Sequence, residues 1–214
     1  MLLGNWQARR AEAKRALGAE LERSLKSPPL DLASVPDAGS LARERVLARG
    51  RFVAGRTVLL DNKLRRGRPG YEVVAPLRLT GSDLHVLVNR GWIAAAPSRQ
   101  QLPEVRTPSA ELTVVGIALD RLPHALQAGA STGAVRQNLD IGAFAAETGL
   151  KLAPIVIEQH SDADDGLARD WPRPDLGIEK HESYALQWYL FAALAVVLLA
   201  VLSFRRVSSD GPTR

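Results

Sequence analysis

Tyr184-Ala185-Leu186-Gln187-Trp188-Tyr189-Leu190-Phe191-Ala192-Ala193-Leu194-Ala195-Val196-Val197-Leu198-Leu199-Ala200-Val201-Leu202-Ser203-Phe204 is a run without a single charge, broken only by Gln187 and Ser203. As a helix rising 1.5 Å per residue it spans roughly 30 Å, the thickness of a bilayer's hydrocarbon core. Tyr184, Trp188 and Tyr189 stand at one mouth, where amphipathic rings settle among headgroups, and Arg205 and Arg206 close the other with charges that hydrocarbon rejects. A soluble protein could bury such a helix only inside a domain large enough to surround it, and 214 residues are too few. The run predicts a transmembrane helix over 184–204 and a lipid bilayer as partner. Arg205, Arg206 and the polar tail 205–214 place the C-terminus in the cytoplasm and the bulk of the chain outside.

Composition narrows what the remainder can be. The formal charge of +5 comes from basic residues dispersed among acidic ones. The one tight cluster is Lys63, Arg65, Arg66 and Arg68, without the interleaved aromatics of a nucleic-acid footprint, so no nucleic-acid partner is expected. With no cysteine there is no disulfide and no thiolate metal site. Met1 is the only other sulfur, so copper delivery lacks its usual soft ligands and metal chemistry falls to imidazole and carboxylate.

Upstream of the span the pattern changes twice. Residues 1–27 read as a juxtamembrane helix. Trp6, Leu17, Leu21 and Leu25 recur near helical spacing, Glu12 with Arg15, Glu20 with Arg23 and Glu22 with Lys26 stand within side-chain reach, and Pro28-Pro29 ends the pattern. Arg9, Arg10, Lys14 and Arg15 read as a solvated face near a membrane. Residues 28–44, through Pro36 to Ser40, read as a linker. From 45 to 180 the periodicity is that of strands. Tyr71, Val73, Ala75, Leu77 and Leu79 alternate with Glu72, Arg78 and Thr80, and after Thr80-Gly81-Ser82-Asp83 the residues Leu84, Val86 and Val88 continue on one face, which predicts a hairpin. Arg45–Val53 and Thr57–Leu64 read as an earlier strand pair, Glu111–Arg121 and Ile155–Glu158 as later strands. Asp140 predicts the cap of a short helix ending at Gly149, with Ile141 and Phe144 inward. The expected fold is a membrane protein with a mostly antiparallel β extramembrane domain, a small barrel or sandwich with short helices, followed by the C-terminal transmembrane helix.

Four motifs then stand in order: Gly4-Asn5-Trp6-Gln7-Ala8-Arg9-Arg10 with Lys14; Gly67-Arg68-Pro69-Gly70-Tyr71-Glu72-Val73 with Pro76-Leu77; Val88-Asn89-Arg90-Gly91-Trp92-Ile93; and His181-Glu182-Ser183-Tyr184-Ala185-Leu186-Gln187-Trp188-Tyr189. Together they resemble the surfeit locus protein 1 family of cytochrome c oxidase assembly factors, over nearly the whole chain. The resemblance implies two spans flanking a domain on the periplasmic or intermembrane-space side, in a bacterial inner membrane or a mitochondrial inner membrane. It also implies a role in inserting haem a into the oxidase catalytic subunit, with haem a synthase as a further partner. Members carry a first span just before the Gly-x-Trp-Gln motif, here at Gly4, so the expectation is either a start that lies upstream or a tail-anchored cytoplasmic protein.

The resemblance carries haem a binding to His181, with the iron on its imidazole and the porphyrin against Tyr184, Trp188 and the apolar helix. Read from the residues alone, His181 is first an interfacial histidine that hydrogen-bonds headgroups, and the family motif is what turns the reading toward iron. Arg90 alternates in phase with Val86, Val88 and Trp92 and needs a carboxylate, either a haem propionate or an Asp or Glu of the chain. Arg68 is a further candidate. Gly70 and Gly91 read as turn glycines, Tyr71 and Trp92 as core, and Gln187 as a polar contact to another helix. His85, His124 and His160 read as surface histidines, and Asp162, Asp164, Asp165 and Gly166 as an exposed loop. No nucleophile elbow, phosphate loop or His-Glu-x-x-His is present, so no enzyme is expected. A scaffold that binds no cofactor and holds an assembly intermediate is the alternative.

Overall fold

The structure is a computed structural model that describes residues 2–98, 101–122, 132–171 and 178–209. It comprises two compact units, Met1–Glu22 with Arg173–Arg214, and Arg23–Pro172.

The second unit is the β domain. Its strands are β1 (Leu30–Asp31), β2 (Arg45–Phe52), β3 (Val58–Leu60), β4 (Gly70–Leu79), β5 (His85–Ala94), β6 (Leu112–Leu119), β7 (Val135–Arg136) and β8 (Leu152–Gln159). Five of them close into a barrel, in the order β2, β6, β8, β5, β4 and back to β2. All neighbours round the barrel are antiparallel except β5 and β8, which are parallel. This is the five-stranded Greek-key arrangement also used by OB-folds. Inward residues fill it: Val46 and Ala48, Ala75 and Leu77, Val86 and Val88, Val114 and Ala118, Ala153, Ile155 and Ile157. Leu32, Ala38 and Leu41, on two short 3-10 turns before β2, pack on the same cluster.

A barrel this narrow needs strongly coiled strands whose backbones come close, and glycine permits the approach. A Cβ on Gly50 would lie 2.0 Å from the Arg78 carbonyl oxygen, and one on Gly116 2.0 Å from that of Glu158.

The predicted hairpin is β4–β5, paired from Gly70 with Ala94 to Arg78 with His85. β4 is nevertheless buried on both faces nearly throughout. Its inner face lines the barrel, and Val74 with Leu87 and Val156 packs outward against Val58, Leu60, Leu122, Leu139 and Phe144. The strand pair expected between 45–53 and 57–64 does not form: β3 pairs with β4 and β7, because closure gives both edges of β2 to other strands. His85, expected at the surface, is buried on this covered face, and its Nδ1 has no hydrogen-bond partner.

Helix α2 (Ile141–Thr148) forms as predicted. Asp140 accepts from the Ala143 amide, Gly149 ends the helix in the left-handed region at φ 70°, and Phe144 is buried. The guanidinium of Arg136 lies over the Phe144 ring and makes a two-pronged contact with Glu147, 2.7 and 2.6 Å. Those hydrogen bonds hold the Glu147 carboxyl below the usual carboxylate range. The stability this contributes is present above the carboxylate pKa of the unfolded chain, about 4.3, and is lost as pH falls through the lower folded value. Glu147→Gln should therefore flatten the acid side of the stability profile below pH about 4 while changing little in slope near neutrality, read as the denaturant midpoint against pH.

The first unit is built from α1 (Leu2–Lys26) as far as Glu22 and from α3 (Ile178–Ser209). Tyr189 donates its hydroxyl to Asn5 Oδ1 at 2.8 Å, Arg15 pairs with Glu182, and Ala11 and Ala185 are buried. Numbering rises along one helix as it falls along the other, so the two are antiparallel. Gly4 fits against the Tyr189 ring, which a Cβ would meet at 2.9 Å. The local pairing of Arg15 with Glu12 gives way to this contact with Glu182 on α3.

Candidate functional site

The third motif bends β5. Val73 faces Gly91 but Val74 faces Asn89, which leaves Arg90 as the extra residue of a β-bulge. The bulge breaks the predicted alternation. Glu72 and Val74 share a face of β4 and lie opposite Trp92 and Asn89, so Trp92 falls in phase with Asn89 and not with Arg90.

Arg90 is fully buried, at 0% exposure, over the Phe52 ring at 4.9 Å. Its Nη1 donates to Thr107 Oγ1 (3.1 Å), and its Nη2 donates to the Arg106 carbonyl (2.7 Å) and to Asp165 Oδ2 (3.0 Å). Asp165 is thus a carboxylate partner of Arg90 supplied by the chain itself. Asp165, expected in an exposed loop, has a side chain only 3% exposed and also accepts from Arg169 Nη2 at 2.7 Å. Burial lowers the pKa of Arg90, and the hydrogen bond and charge of Asp165 oppose that shift. This ionic cluster holds the strap 161–171 over the barrel's end. Ala168 exchanges backbone hydrogen bonds with Trp92, 2.8 Å in each direction.

Gly70 and Gly91 lie within strands, not turns. A Cβ on Gly70 would enter the Trp92 ring at 2.4 Å, and Gly91 holds φ 143° with the Ala168 carbonyl 2.8 Å from where its Cβ would be. Tyr71 and Trp92 are core residues as expected. Beyond them Asn89 donates to Glu72 at 3.1 Å, Lys63 pairs with Glu72 at 3.6 Å, and Trp92 Nε1 donates to the Lys63 carbonyl at 2.8 Å. Beyond the second and third motifs themselves and the unmatched charge of Arg90, nothing in the sequence marked this end of the barrel in advance. Asp165 itself carried no local signal. His160 is half-buried against Glu158 (3.1 Å), and His124 lies outside the described residues. Arg68 is exposed.

The fourth motif lies on α3. Positions 181, 184 and 188 recur at i, i+3 and i+7 and fall on one stripe of the helix, next to the stripe of Glu182, Ala185 and Tyr189 that meets α1. Tyr184 is 53% exposed and Trp188 40%, the latter edge-on to Phe191 with centroids 6.0 Å apart. These rings leave an exposed aromatic surface near the start of the apolar window. The side chain of His181 lies outside the described residues. Arg90 belongs to the other unit, so the four predicted cofactor residues divide between the two. The window Glu182–Leu199 of α3 is long and apolar enough to cross a membrane, and only 6% of it is buried, where the core helix of a soluble protein would be mostly covered. Among the described residues no group of three or more His, Cys, Asp or Glu side chains could hold a metal ion.

Known proteins similar to this chain share one family. The SURF1 family model matches residues 1–193. A SURF1-like protein of Rickettsia bellii is 27% identical over 99% of this chain and 88% of its own length. Surfeit locus protein 1 of Mus musculus is 29% identical over 87% of this chain and 66% of its own. The cytochrome oxidase assembly protein SHY1 of Saccharomyces cerevisiae is 29% identical over 51% of this chain and 30% of its own. With a family match that begins in the first helix, runs through the bulged barrel and ends within the apolar helix, this chain belongs to the SURF1 family.

Proposed function

We propose that this protein is an assembly factor for haem-copper cytochrome c oxidase and that it assists the insertion of haem a into the catalytic subunit. Membership of the SURF1 family and the name of the yeast relative support the oxidase. The observation that carries the finer reading is the aromatic stripe of Tyr184 and Trp188, exposed beside position 181 at the mouth of an apolar helix. His181 holds the iron through one ring nitrogen, and Tyr184 and Trp188 orient the macrocycle along α3. When bound, haem a supplies the redox-active iron porphyrin that the catalytic subunit lacks before assembly. The protein delivers it by contact between spans, in a bacterial inner membrane with the β domain periplasmic. Haem a synthase is the source and the oxidase catalytic subunit the recipient.

Membranes containing the protein and a supply of haem a should yield a purified preparation with a Soret band, and His181→Ala should abolish that band while leaving the protein in the membrane. A colourless wild-type preparation overturns the haem reading. What then remains is a scaffold that steadies an oxidase intermediate without a cofactor. One observation favours that second reading: the most deeply buried of the described arginines of the β domain, Arg90, is already matched by Asp165.

A further inference from the structure

The turn between β3 and β4 is a two-residue reversal. Arg65 and Arg68 exchange backbone hydrogen bonds of 3.0 and 2.9 Å, and Arg66 and Gly67 between them hold φ of 50° and 75°. Positive φ at both central positions is the mark of a type I′ turn, which prefers Asn or Gly at the first because larger side chains are strained there. Here the strained position carries an arginine, and its side chain is 85% exposed. Leu64, just before it, is 66% exposed. Neither residue packs the core.

Lys63, Arg65, Arg66 and Arg68 crowd four cations onto this turn and its approach, with Glu72 beside Lys63 and Asp170 shared by Arg65 and Arg66. Asp170 precedes Trp171, whose ring lies under the Arg65 guanidinium at 5.0 Å. The turn is thus fastened to the stretch by which the chain leaves the β domain. From Trp171 the chain takes seven steps to Ile178, where α3 begins, a reach of at most about 25 Å. The apolar window opens one helical turn later, at Glu182.

We propose that the Leu64–Arg68 turn is a lipid-contact element that docks on anionic phospholipid headgroups of the bilayer crossed by α3. Arg66 and Arg68 meet the phosphates, and the Leu64 side chain enters the boundary between headgroups and acyl chains. A rigid turn suits this role because its charges are already presented and little order is lost on contact. The inference stands on the turn and the span alone and is independent of haem.

The absence of native cysteine makes Leu64→Cys a single attachment point for an environment-sensitive dye. In the full chain reconstituted into nanodiscs containing phosphatidylglycerol, the dye should shift to the blue and be quenched by a lipid-borne quencher. Discs of phosphatidylcholine alone should leave it in water. Arg66→Gln and Arg68→Gln should each weaken the contact by about fivefold, and high salt should release it. A dye at Ser82→Cys, on the turn at the other end of β4, should stay in water throughout. A Leu64→Cys dye that remains in water in the anionic discs overturns the proposal. So does protection that appears only when oxidase subunits are added, which would assign the turn to a protein partner.

Discussion

Asp165→Asn should destabilise the β domain by about 3–5 kcal/mol, the cost typical of removing one partner from a buried ion pair. The carboxylate holds two guanidinium groups through the same oxygen, Arg90 at 3.0 Å and Arg169 at 2.7 Å, and both of those side chains are buried. Neutralising it leaves two cations in a low-dielectric site with neutral acceptors: Thr107 and the Arg106 carbonyl for Arg90, and the Leu167 and Ala163 carbonyls at 3.3 and 3.4 Å for Arg169. Arg90→Met should cost less. It removes a charge, keeps apolar contact with Phe52, and leaves Asp165 paired with Arg169. In a double-mutant cycle the combined loss should fall short of the sum, because each single change damages the same pair. Denaturant titration followed by tryptophan fluorescence reads the result, since Trp92 is bound to this strap through Ala168. A loss for Asp165→Asn below about 1 kcal/mol, the level of an exposed pair, would contradict the buried geometry.

Gly116→Ala should cost about 3 kcal/mol, the upper end of ordinary overpacking, although it adds a single methyl group. The added Cβ would lie 2.0 Å from the Glu158 carbonyl oxygen and 2.8 Å from Ile157 Cγ2. The first obstacle is backbone, so relief requires β6 and β8 to part where Gly116 pairs with Gln159. Gly81→Ala is the useful contrast. Nothing lies within 4 Å of its Cβ, and the only penalty is the left-handed φ of 74°, worth about 1 kcal/mol. Hydrogen exchange should show the difference in kind: faster exchange along β6 and β8 for Gly116→Ala, and a change limited to the β4–β5 turn for Gly81→Ala. Equal, small losses at both sites would mean that the strands do not approach as closely as the closed barrel requires.

The features that were legible in advance rest on short-range chemistry. Helix α2 could be read to its boundaries because Asp140 and Gly149 act on the backbone within four residues of themselves. The β4–β5 hairpin could be read because alternation and the Thr80–Asp83 turn fix its register locally. The partners of β2 could not. Arg45–Phe52 finds β6 and β4, and its pairing with β6 spans a stretch of chain in which no local pattern points to the partner. Arg90 could be read from its alternation as an inward or rim-facing guanidinium in need of a carboxylate, but nothing announced the bulge that aims it, and the aspartate that meets it reads as part of an exposed loop. A bulge is one residue of slippage between two strands, and it leaves no trace in either strand taken separately. Asp165 sits among Asp162, Asp164 and Gly166, a composition that normally means solvent, and only the strap's hydrogen bonds to β5 carry it inside.

The sequence by itself determined the apolar helix, the β character of the domain, the capped helix and the four ordered motifs that identify the family. Each of these is written in spacing and composition along a few consecutive residues. Only the tertiary structure decided that the sheet closes into a barrel, that Tyr189 of the apolar helix meets Gly4 and Asn5, and that Asp165 neutralises Arg90. Those outcomes depend on residues distant in the chain and brought together by burial, and a buried charge selects whichever opposite charge the completed fold delivers to it.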